Sequence, residues 1–400
     1  MQKTPKALRL HIGIFGKRNV GKSSIINALT HQNISIVSDI AGTTTDAVEK
    51  TMEMLPLGPV VFIDTAGVDD VGKLGELRID KTMQIIDRCD IALIVCDYNG
   101  WDEFEHKLFE KFNEHKIPVI AIINKDDEQK ISQEKLEEIE KHVKSIVITS
   151  TKTDEDIVIK IKQELINNVP EEFIKPPSLV EGLIEEGDTV ILVTPIDKEA
   201  PKGRLILPEV QVLREMLDNN CQSIVVTEKS LKKALEITKE KPKVVITDSQ
   251  AFQMVSEIVP EDIPLTSFSI LFARLKGDLK EFVNSVKMID NLNDNDKILI
   301  CESCTHHQIE DDIGTIKIPK WLKEKTGKNL IFEHHSSHQF PKNIEGYKLV
   351  IHCGGCMTNR REILSRIVKS KKSNTPITNY GVTIAYCLGI LDRAIKPFIK

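Results

Sequence analysis

A chain of 400 residues is longer than one hydrophobic core usually organises, so its length predicts two or three domains of about 100 to 200 residues. Its 28% charged and 40% apolar residues are typical of an ordinary globular protein, and a net charge of −6 argues against a general nucleic-acid binder. No apolar run approaches the roughly 20 residues that span a bilayer, and the start lacks the apolar stretch of a secretory signal. We therefore expect a cytoplasmic protein with no nucleic-acid or membrane partner.

The first predicted elements are a buried strand, LRLHIGIFG, a glycine-rich turn and a helix that starts in SSIINALT. The turn carries the phosphate-loop pattern GKRNVGKSS at residues 16–24. In this pattern glycines let backbone N–H groups curl around phosphates, the lysine reaches the β- and γ-phosphates, the hydroxyl ligates Mg²⁺, and the helix N-terminus attracts the anion. The predicted nucleotide contacts are Gly16, Gly21, Lys22, Ser23 and Ser24, with Ser23 on Mg²⁺ and Lys22 also catalytic.

Two further segments predict the metal and γ-phosphate contacts. VFIDTAG ends a strand with Asp64, which would hold Mg²⁺ through water, and with Gly67, whose N–H would meet the γ-phosphate. AGTTTD, residues 41–46, is interpreted as the mobile loop that carries the second hydroxyl for Mg²⁺. Both segments therefore belong to a nucleotide switch.

Guanine recognition is indicated by IAIINKDD, in which Asn124, Lys125 and Asp127 form an N-K-x-D pattern after an apolar strand. A carboxylate accepts hydrogen bonds from the N1 and N2 donors of guanine, which adenine lacks, so the pattern favours GTP over ATP. Downstream, ITSTK supplies the last predicted contact to the base. Its residues are Ser150, Thr151 and Lys152.

The set GKRNVGKS, GTTTD, DTAG, NKDD and STK resembles the bacterial GTPases of the Era, EngA and tRNA-modification type over residues 8–168. The resemblance implies Thr44 as the loop ligand of Mg²⁺. It also places Asn19 where potassium-activated members hold a monovalent ion, so Asn19 and Thr44 join Lys22 as predicted catalytic residues; an ordinary exposed asparagine is the alternative for Asn19. Val68 stands where Ras-like enzymes carry a water-orienting glutamine, so we expect slow hydrolysis unless potassium, dimerisation or a partner completes the site.

The composition changes at residues 169–182, where VPEEFIKPPSLVEG contains three prolines, so we predict a GTPase domain over 1–168 followed by a linker. The short runs TVILVTPI, SIVVTE, KVVITDS and LTSFSIL then alternate with helical stretches, which predicts parallel βαβ units. Residues 183–270 show no second phosphate loop and no convincing catalytic set, so we predict a dimerisation domain. PKGRLILP, with Lys202 and Arg204, would meet an anion, rim an interface or simply lie at the surface.

Residues 271–400 hold a cluster of soft ligands. The predicted strand in KILICESCTHHQIE leads to Cys304 and His306, and the strand in LVIHCGGCMTN ends at His352, Cys353 and Cys356. The pattern C-x-H, 45 intervening residues and H-C-x-x-C gives five potential ligands at strand ends and loops of an α/β frame. In a reducing compartment this clustering suggests a metal rather than disulfides.

Together with the GTPase motifs, this cysteine and histidine set resembles the HydF family of FeFe-hydrogenase maturation GTPases over nearly all of the chain. The resemblance implies a [4Fe–4S] cluster held by Cys304, Cys353 and Cys356, with an exchangeable ligand on one iron. His306 and His352 are then candidates for the fourth position, or hydrogen-bonding groups that tune the cluster. Three thiolates and an open corner suit a carrier better than a structural site.

The implied fold is α/β, with a P-loop GTPase domain, a parallel βαβ dimerisation domain and an α/β iron–sulfur domain. The implied function is a GTP-hydrolysing scaffold and carrier that uses GTP, Mg²⁺, K⁺ and the [4Fe–4S] cluster. As a homodimer, it would receive a two-iron H-cluster precursor from radical-SAM maturases and deliver it to apo FeFe-hydrogenase.

Two alternatives stay open. Cys301, with Cys304, Cys353 and Cys356, permits a four-cysteine zinc site, unless Cys301 faces the core and only packs. The chain would then be a GTPase of ribosome assembly or tRNA modification with a zinc-structured C-terminal domain, against which the acidic charge and the absence of a basic stripe argue. In the second alternative, Cys353 and Cys356 act as a redox dithiol, although the surrounding histidines and the distant Cys304 favour a metal.

Overall fold

The protein is described from a computed structural model, which covers residues 6–31, 48–65, 82, 84–174, 177–196, 205–302, 312–336, 340–341 and 343–398. The chain divides into two compact units, Met1–Pro176 and Pro177–Lys400. Within the described ranges, none of the helices combines the length and the apolar character needed to cross a membrane. Lys202 and Arg204 of the predicted anion or interface segment lie outside these ranges.

The first unit is built on a six-stranded sheet with the strand order β2-β3-β1-β4-β5-β6. Strand β2 pairs antiparallel with β3, and the other pairs are parallel. Its strands are β1 (Leu10–Phe15), β2 (Val48–Met54), β3 (Gly58–Asp64), β4 (Ile91–Cys96), β5 (Val119–Ile123) and β6 (Ser145–Ile148). Its described helices are α1 (Lys22–His31), α2 (Glu103–Glu114), α3 (Gln133–Glu140), α4 (Ile157–Asn168) and α5 (Glu171–Ile174).

Both faces of this sheet are covered at β1 and β4, whose residues are all buried, which explains why β4 is a continuous apolar run and β1 is interrupted only by His11 and Gly13. In β3, Phe62 packs in one hydrophobic cluster with Ile25 of α1, whereas Ile63 packs in another with Phe112 of α2. The carboxyl ends of parallel strands share one edge of a sheet, so the segments after β1, β3, β5 and β6 converge there. These are the four segments that carry the predicted nucleotide contacts.

The second unit contains two four-stranded sheets, with the orders β10-β9-β7-β8 and β12-β11-β13-β14, in which every pair is parallel. The first comprises β7 (Thr189–Val193), β8 (Gln222–Val226), β9 (Val244–Thr247) and β10 (Leu265–Ser267). The second comprises β11 (Lys297–Glu302), β12 (Ile331–Ser336), β13 (Leu349–His352) and β14 (Ile377–Asn379). The described helices are α6 (Leu207–Asp218), α7 (Leu231–Ile237), α8 (Phe252–Ile258), α9 (Phe268–Lys276), α10 (Leu279–Val286), α11 (Ile318–Thr326), α12 (Arg360–Lys372), α13 (Tyr380–Cys387) and α14 (Leu391–Ile395).

The predicted parallel βαβ arrangement is confirmed, but the predicted strand in LTSFSIL is wrong in its second half. Strand β10 ends at Ser267, whose Oγ accepts a hydrogen bond from the backbone N–H of Ile270 at 3.2 Å and caps α9. The apolar residues after Ser267 are therefore helical. A short apolar run does not by itself distinguish a strand from a buried helix.

The two sheets of this unit contribute to one hydrophobic cluster. Ile191 and Val245 of the first sheet belong to the same cluster as Ile298 and Ile351 of the second. Residues of α9 and α10, which connect the sheets along the chain, also belong to it, among them Ile270 and Phe282. Groups on α9 can therefore meet loops of the second sheet.

Candidate functional site

The phosphate loop after β1 wraps around the side chain of Lys22. The Lys22 Nζ donates hydrogen bonds to the carbonyl oxygens of Gly16 at 2.8 Å and Lys17 at 2.5 Å. Only 7% of the Lys22 surface is exposed. The ammonium group therefore lies inside the loop, where the predicted phosphate contacts require it.

The curl of this loop depends on its two glycines. Gly16 has φ 141° and Gly21 has φ 99°, both in the range that disfavours other residues. A Cβ at Gly16 would lie 2.1 Å from the Val95 carbonyl oxygen, and one at Gly21 would lie 2.1 Å from the Asn124 Nδ2. Asn19 adopts φ 62°, a value that asparagine tolerates better than most residues. The backbone conformation thus explains why the pattern has glycine at two of these positions and asparagine at the third.

Two of the predicted Mg²⁺ ligands lie side by side. The Ser23 Oγ donates to the Asp64 Oδ2 at 3.1 Å. Burial raises the pKa of Asp64, while the Ser23 hydroxyl and the Lys22 ammonium oppose that shift. Within the described residues the Asp64 Oδ1 is buried without a hydrogen-bond partner. A hydroxyl next to an unpartnered carboxylate oxygen fits a Mg²⁺ ion bound directly and through water.

The remaining contacts predicted for this part of the site lie outside the described residues. They are Thr44 in the predicted mobile loop and Gly67 after Asp64, together with the neighbouring Val68. The assignments of Thr44 to Mg²⁺ and of Gly67 to the γ-phosphate stay predictions.

Asn124 connects the phosphate loop to the predicted base-binding segments. Its Nδ2 donates to the Val20 carbonyl at 2.8 Å, and its Oδ1 accepts from the Thr151 backbone N–H at 3.1 Å. Asn124 is almost completely buried at the end of β5. Asn124 therefore holds the phosphate loop, the end of β5 and the segment at Thr151 in fixed positions relative to one another. Both the Nδ2 and the Oδ1 of its amide bond to protein groups.

Asp127 is held in position by Ser150. The Ser150 Oγ donates to the Asp127 Oδ1 at 2.6 Å and accepts from the Lys152 backbone N–H at 3.1 Å. This hydrogen bond from Ser150 lowers the pKa of Asp127, so the exposed carboxylate is ionised at neutral pH. Lys125, with φ 63°, turns the chain between Asn124 and Asp127. An oriented, ionised carboxylate is what recognition of the guanine N1 and N2 donors requires.

In the second unit, the cysteine turn comprises residues 353–356 and follows β13. The Cys353 backbone N–H donates to the Cys301 carbonyl at 2.9 Å, which extends the sheet pairing to the first cysteine. Gly355 has φ 65°, and a Cβ there would lie 2.4 Å from the Ile363 Cδ1. Cys353 and Cys356 are both partly exposed, and neither forms a disulfide bond within the described residues. The turn therefore presents two soft ligands on a backbone that requires glycine at Gly355.

Cys304 and His306 lie outside the described residues. Strand β11, which precedes them in the sequence, pairs with β13 so that Cys301 lies opposite His352. Cys301 is 1% exposed within the hydrophobic cluster, and burial raises its pKa to about 12. This position assigns Cys301 to packing and argues against its place in a four-cysteine zinc site. Across the described ranges, no group of three or more His, Cys, Asp or Glu side chains is arranged to hold a metal.

His352 is buried behind the cysteine turn, with both ring nitrogens engaged. An Arg366 guanidinium can only donate, so its Nη1 donates to the His352 Nε2 at 2.7 Å. The proton therefore resides on Nδ1, which donates to the Cys353 carbonyl at 2.6 Å. Burial and the Arg366 charge lower the His352 pKa to about 3, so the ring is neutral. In this arrangement His352 supports the turn, which favours the hydrogen-bonding role over that of a fourth ligand.

Arg366 and Glu362 complete a buried network that the sequence did not reveal. The Arg366 Nη2 donates to the Glu362 Oε1 at 2.5 Å, and their side chains are only 2% and 5% exposed. In the sequence they form an ordinary i, i+4 pair on a helix, a pattern usually found at the surface. Only their position on the inner face of α12 shows that they order His352.

Lys276 is a second residue that sequence reasoning missed. This last residue of α9 is 2% exposed. Its Nζ donates to the backbone carbonyls of Gly355 at 2.7 Å, Cys356 at 3.3 Å and Thr358 at 2.8 Å. Burial lowers the pKa of Lys276 to about 8, so it is mostly charged at neutral pH. Nothing in the local sequence around Lys276 indicates a contact about 80 residues away.

The residues of the cysteine turn fit an iron–sulfur group. Its two cysteine thiols are the soft ligand type that iron–sulfur clusters prefer. They extend from a turn that requires glycine and that lies at the end of a strand in a rigid sheet. A neutral histidine and a lysine fix the backbone on which the thiols stand. Such surrounding hydrogen bonds are typical of sites that orient metal ligands.

Three family models match the chain. A 50S ribosome-binding GTPase model matches residues 11–125, a hydrogen maturase F dimerization domain matches residues 179–277, and a hydrogen maturase F tetramerization domain matches residues 280–397. The chain is a HydF-type GTPase. For this HydF-type GTPase the predicted fold class is confirmed, since a P-loop GTPase domain precedes parallel-sheet domains. The dimerization and tetramerization models indicate oligomerisation, while the predicted iron–sulfur domain stays a prediction.

The curated relatives are GTPases, and each matches less than half of the chain. GTPase Der of Wolinella succinogenes is 38% identical over 151 residues, which cover 36% of this chain and 30% of that protein. The tRNA modification GTPase MnmE of Bacillus subtilis is 35% identical over 178 residues, covering 44% and 36% respectively. The HydF-type chain thus spans about a third of the length of these relatives. A crystal structure of an Aquifex aeolicus Era variant bound to GDP and AlF4⁻ is 21% identical and covers 57% of this chain and 98% of that chain, with a TM-score of 0.34.

Proposed function

We propose that this HydF-type GTPase is a GTP-hydrolysing scaffold and carrier, with a nucleotide site in the first unit and a [4Fe–4S]-binding turn in the second. The observation that carries the proposal is the cysteine turn: two cysteine side chains stand on a glycine-dependent backbone that buried polar groups hold in place. A GTPase used only as a nucleotide switch has no need of this arrangement. The hydrogen maturase F models support the same assignment.

In the nucleotide site, Lys22 neutralises phosphate charge, and Ser23 with Asp64 would hold Mg²⁺ together with Thr44. Asp127, oriented by Ser150, selects guanine. Asn19 would hold a K⁺ ion, and hydrolysis is slow because no glutamine follows the D-T-A-G motif. The proposed nucleotide set is Gly16, Asn19, Gly21, Lys22, Ser23, Ser24, Asp64, Gly67, Asn124, Lys125, Asp127, Ser150, Thr151 and Lys152, of which Lys22, Asn19 and Thr44 are catalytic.

In the cluster site, Cys353 and Cys356 would provide two thiolates and Cys304 the third. A [4Fe–4S] cluster with three thiolate ligands would supply one iron with an exchangeable coordination position. His352 keeps the Cys353 carbonyl engaged, and His306 stays the histidine candidate for the fourth position. The cargo is a two-iron precursor of the hydrogenase H-cluster, received from radical-SAM maturases and delivered to apo FeFe-hydrogenase.

The proposed organisation follows the predicted boundaries: a GTPase domain over 1–168, a linker over 169–182, a dimerisation domain over 183–270 and a cluster domain over 271–400. The protein would act in the cytoplasm as a homodimer. GTP binding and hydrolysis would order and release the switch loops and so bias partner exchange.

The first test is iron and sulfide analysis of anaerobically prepared protein, with Cys353→Ser and Cys356→Ser as variants and Cys387→Ser as the matched control. We expect iron and sulfide in the wild type and the control, loss of both in the two turn variants, and unchanged GTP affinity in all four proteins. Zinc without iron in the wild type would overturn the carrier proposal in favour of a zinc-structured GTPase.

The second test compares GTP hydrolysis by the wild type in potassium and in sodium at equal ionic strength. Faster hydrolysis in potassium would support the role of Asn19. Equal rates in the two salts would remove that role and leave Asn19 as a residue that shapes the phosphate loop.

A further inference from the structure

Lys276 is a buried cation whose partners are all neutral. Its ammonium has three acceptors, the carbonyl oxygens of Gly355, Cys356 and Thr358, at 2.7 to 3.3 Å. In the described part of the chain no carboxylate meets it at ion-pair distance. Its Nζ also lies over the Phe272 ring, 5.2 Å from the centroid. Among the described residues this ammonium is therefore hydrogen-bonded to neutral carbonyls and has no carboxylate at ion-pair distance.

A buried charge without a counter-charge is costly, and hydrogen bonds to carbonyls offset only part of that cost. The C-terminal end of α9 adds the favourable dipole that a cation in the last helical turn receives. An apolar side chain of similar length would avoid the desolvation cost. The presence of lysine here therefore indicates a negative charge nearby in the working state of the protein.

The acidic groups that act on Lys276 identify where this charge would arise. They are Cys356, Cys353 and Glu362. Glu362 already pairs with Arg366 at 2.5 Å. Cysteine binds metal groups as the thiolate, so both side chains carry negative charge when they ligate a cluster. The thiolates of the cysteine turn are thus the natural counter-charge.

We propose that Lys276 is a positioning residue of the cluster site: it fixes the 355–358 backbone and supplies the positive charge that balances the thiolates of Cys353 and Cys356. The inference rests on the proposed cluster binding and deepens it. A one-electron reduction adds negative charge to a cluster, so a nearby fixed cation stabilises the reduced state. Lys276 therefore raises the reduction potential of the bound cluster.

The test uses the full chain, reconstituted with iron and sulfide, as wild type, Lys276→Met, Lys276→Arg and Lys280→Met. Methionine keeps the length and removes the charge, whereas arginine keeps the charge. Lys280 is an exposed lysine one helix further on and serves as the matched control. Iron and sulfide per chain, thermal unfolding, and a dithionite titration of the cluster followed by electron paramagnetic resonance are measured.

We expect Lys276→Met to bind less cluster than the wild type, and the reduction potential of the cluster that it does bind to be more negative. Lys276→Arg should be closer to the wild type in both properties, and Lys280→Met should be unchanged. If Lys276→Met does not fold or holds no iron, retention of cluster by Lys276→Arg alone supports the charge role, and its loss from both overturns it. Equal iron content and potential in Lys276→Met and the wild type would also overturn it. Absence of iron from the wild type itself would instead overturn the proposed function, on which this inference depends.

Discussion

Lys22 and Lys276 are two buried lysines that donate to backbone carbonyls of a turn, one in each unit. Lys22 begins α1 and reaches carbonyls five and six residues before it in the chain. Lys276 ends α9 and reaches carbonyls 79 to 82 residues after it. The first contact belongs to the phosphate loop itself, whereas the second exists only because α9 packs against the second sheet. A substitution of Lys22 should therefore change ligand binding without changing stability. Substitutions around the cysteine turn should change both.

The polar groups around the phosphate loop and around the cysteine turn also differ in their hydrogen bonding. Near Lys22, the Asp64 Oδ1 is buried without a hydrogen-bond partner within the described residues, which suits an incoming ligand. Near the cysteine turn, His352 has both nitrogens engaged and Arg366 also pairs with Glu362. The nucleotide site thus offers a carboxylate oxygen to a ligand, while the hydrogen bonds behind the turn join His352, Arg366 and Glu362 to one another and contribute to the fold.

The largest effect is expected from Arg366→Met, which leaves Glu362 buried without its ion-pair partner and the His352 Nε2 without its donor. Removing one member of a buried ion pair costs about 3 to 5 kcal/mol. We expect a lower denaturation midpoint for the unfolding transition of the second unit and reduced iron content. The control is Arg214→Met, since Arg214 forms an exposed pair with Asp218 and should change stability by no more than about 0.5 kcal/mol. Equal midpoints for the two variants would contradict the stabilising role of the network behind the cysteine turn.

Lys22→Ala should weaken GTP binding by about 3 kcal/mol, or roughly 100-fold, because charge-assisted contacts to phosphate are lost. Stability and iron content should stay unchanged, since the Lys22 Nζ donates its hydrogen bonds to carbonyls of its own loop. The measurements are isothermal titration with a non-hydrolysable GTP analogue and iron analysis, with Lys107→Ala as an exposed-lysine control. Loss of iron together with GTP binding would show that the sites are coupled.

Asp127→Asn should reduce GTP affinity by about 1.5 to 3 kcal/mol, or roughly 10- to 100-fold, because the asparagine amide presents a donor to the guanine donors. Xanthosine triphosphate, which carries an acceptor oxygen at position 2, should gain affinity relative to GTP. Competition between the two nucleotides measures this exchange. An unchanged preference would mean that Asp127 does not contact the base.

The smallest effect is expected from Glu105→Gln, which probes a buried carboxyl of the first unit, 3.7 Å from the Lys17 Nζ. Burial raises the pKa of Glu105 from 4.5 to about 7. Between these values the unfolded chain loses the proton while the folded chain keeps it, so stability falls as pH rises from about 4.5 to about 7. Glu105→Gln should flatten this part of the Tm-against-pH curve of the first unit, and the exposed Glu103→Gln should not. Parallel curves for wild type and Glu105→Gln would show that Glu105 titrates normally.

Much of the nucleotide site was predictable because its chemistry lies in short contiguous segments. Gly16 to Ser24, the N-K-x-D motif and Ser150 to Lys152 each follow a strand of one sheet, and parallel strands bring their carboxyl ends to one edge. The C-x-x-C turn was recognisable for the same reason. Prediction from local sequence failed for LTSFSIL, whose second half is helical. A short apolar run fits either a strand or a buried helix, and only the hydrogen bond to Ser267 at the helix start distinguishes them.

Local sequence patterns were therefore enough to predict the GTPase fold, the guanine specificity motif and the paired soft ligands, because covalent geometry constrains residues that are a few positions apart. Tertiary structure decided that Cys301 packs in the core, that His352 carries its proton on Nδ1, and that Lys276 reaches the cysteine turn. These properties depend on burial and on contacts between groups 14 to about 80 residues apart. Packing of α9 and α12 against the second sheet brings those groups together, and no local pattern encodes that proximity.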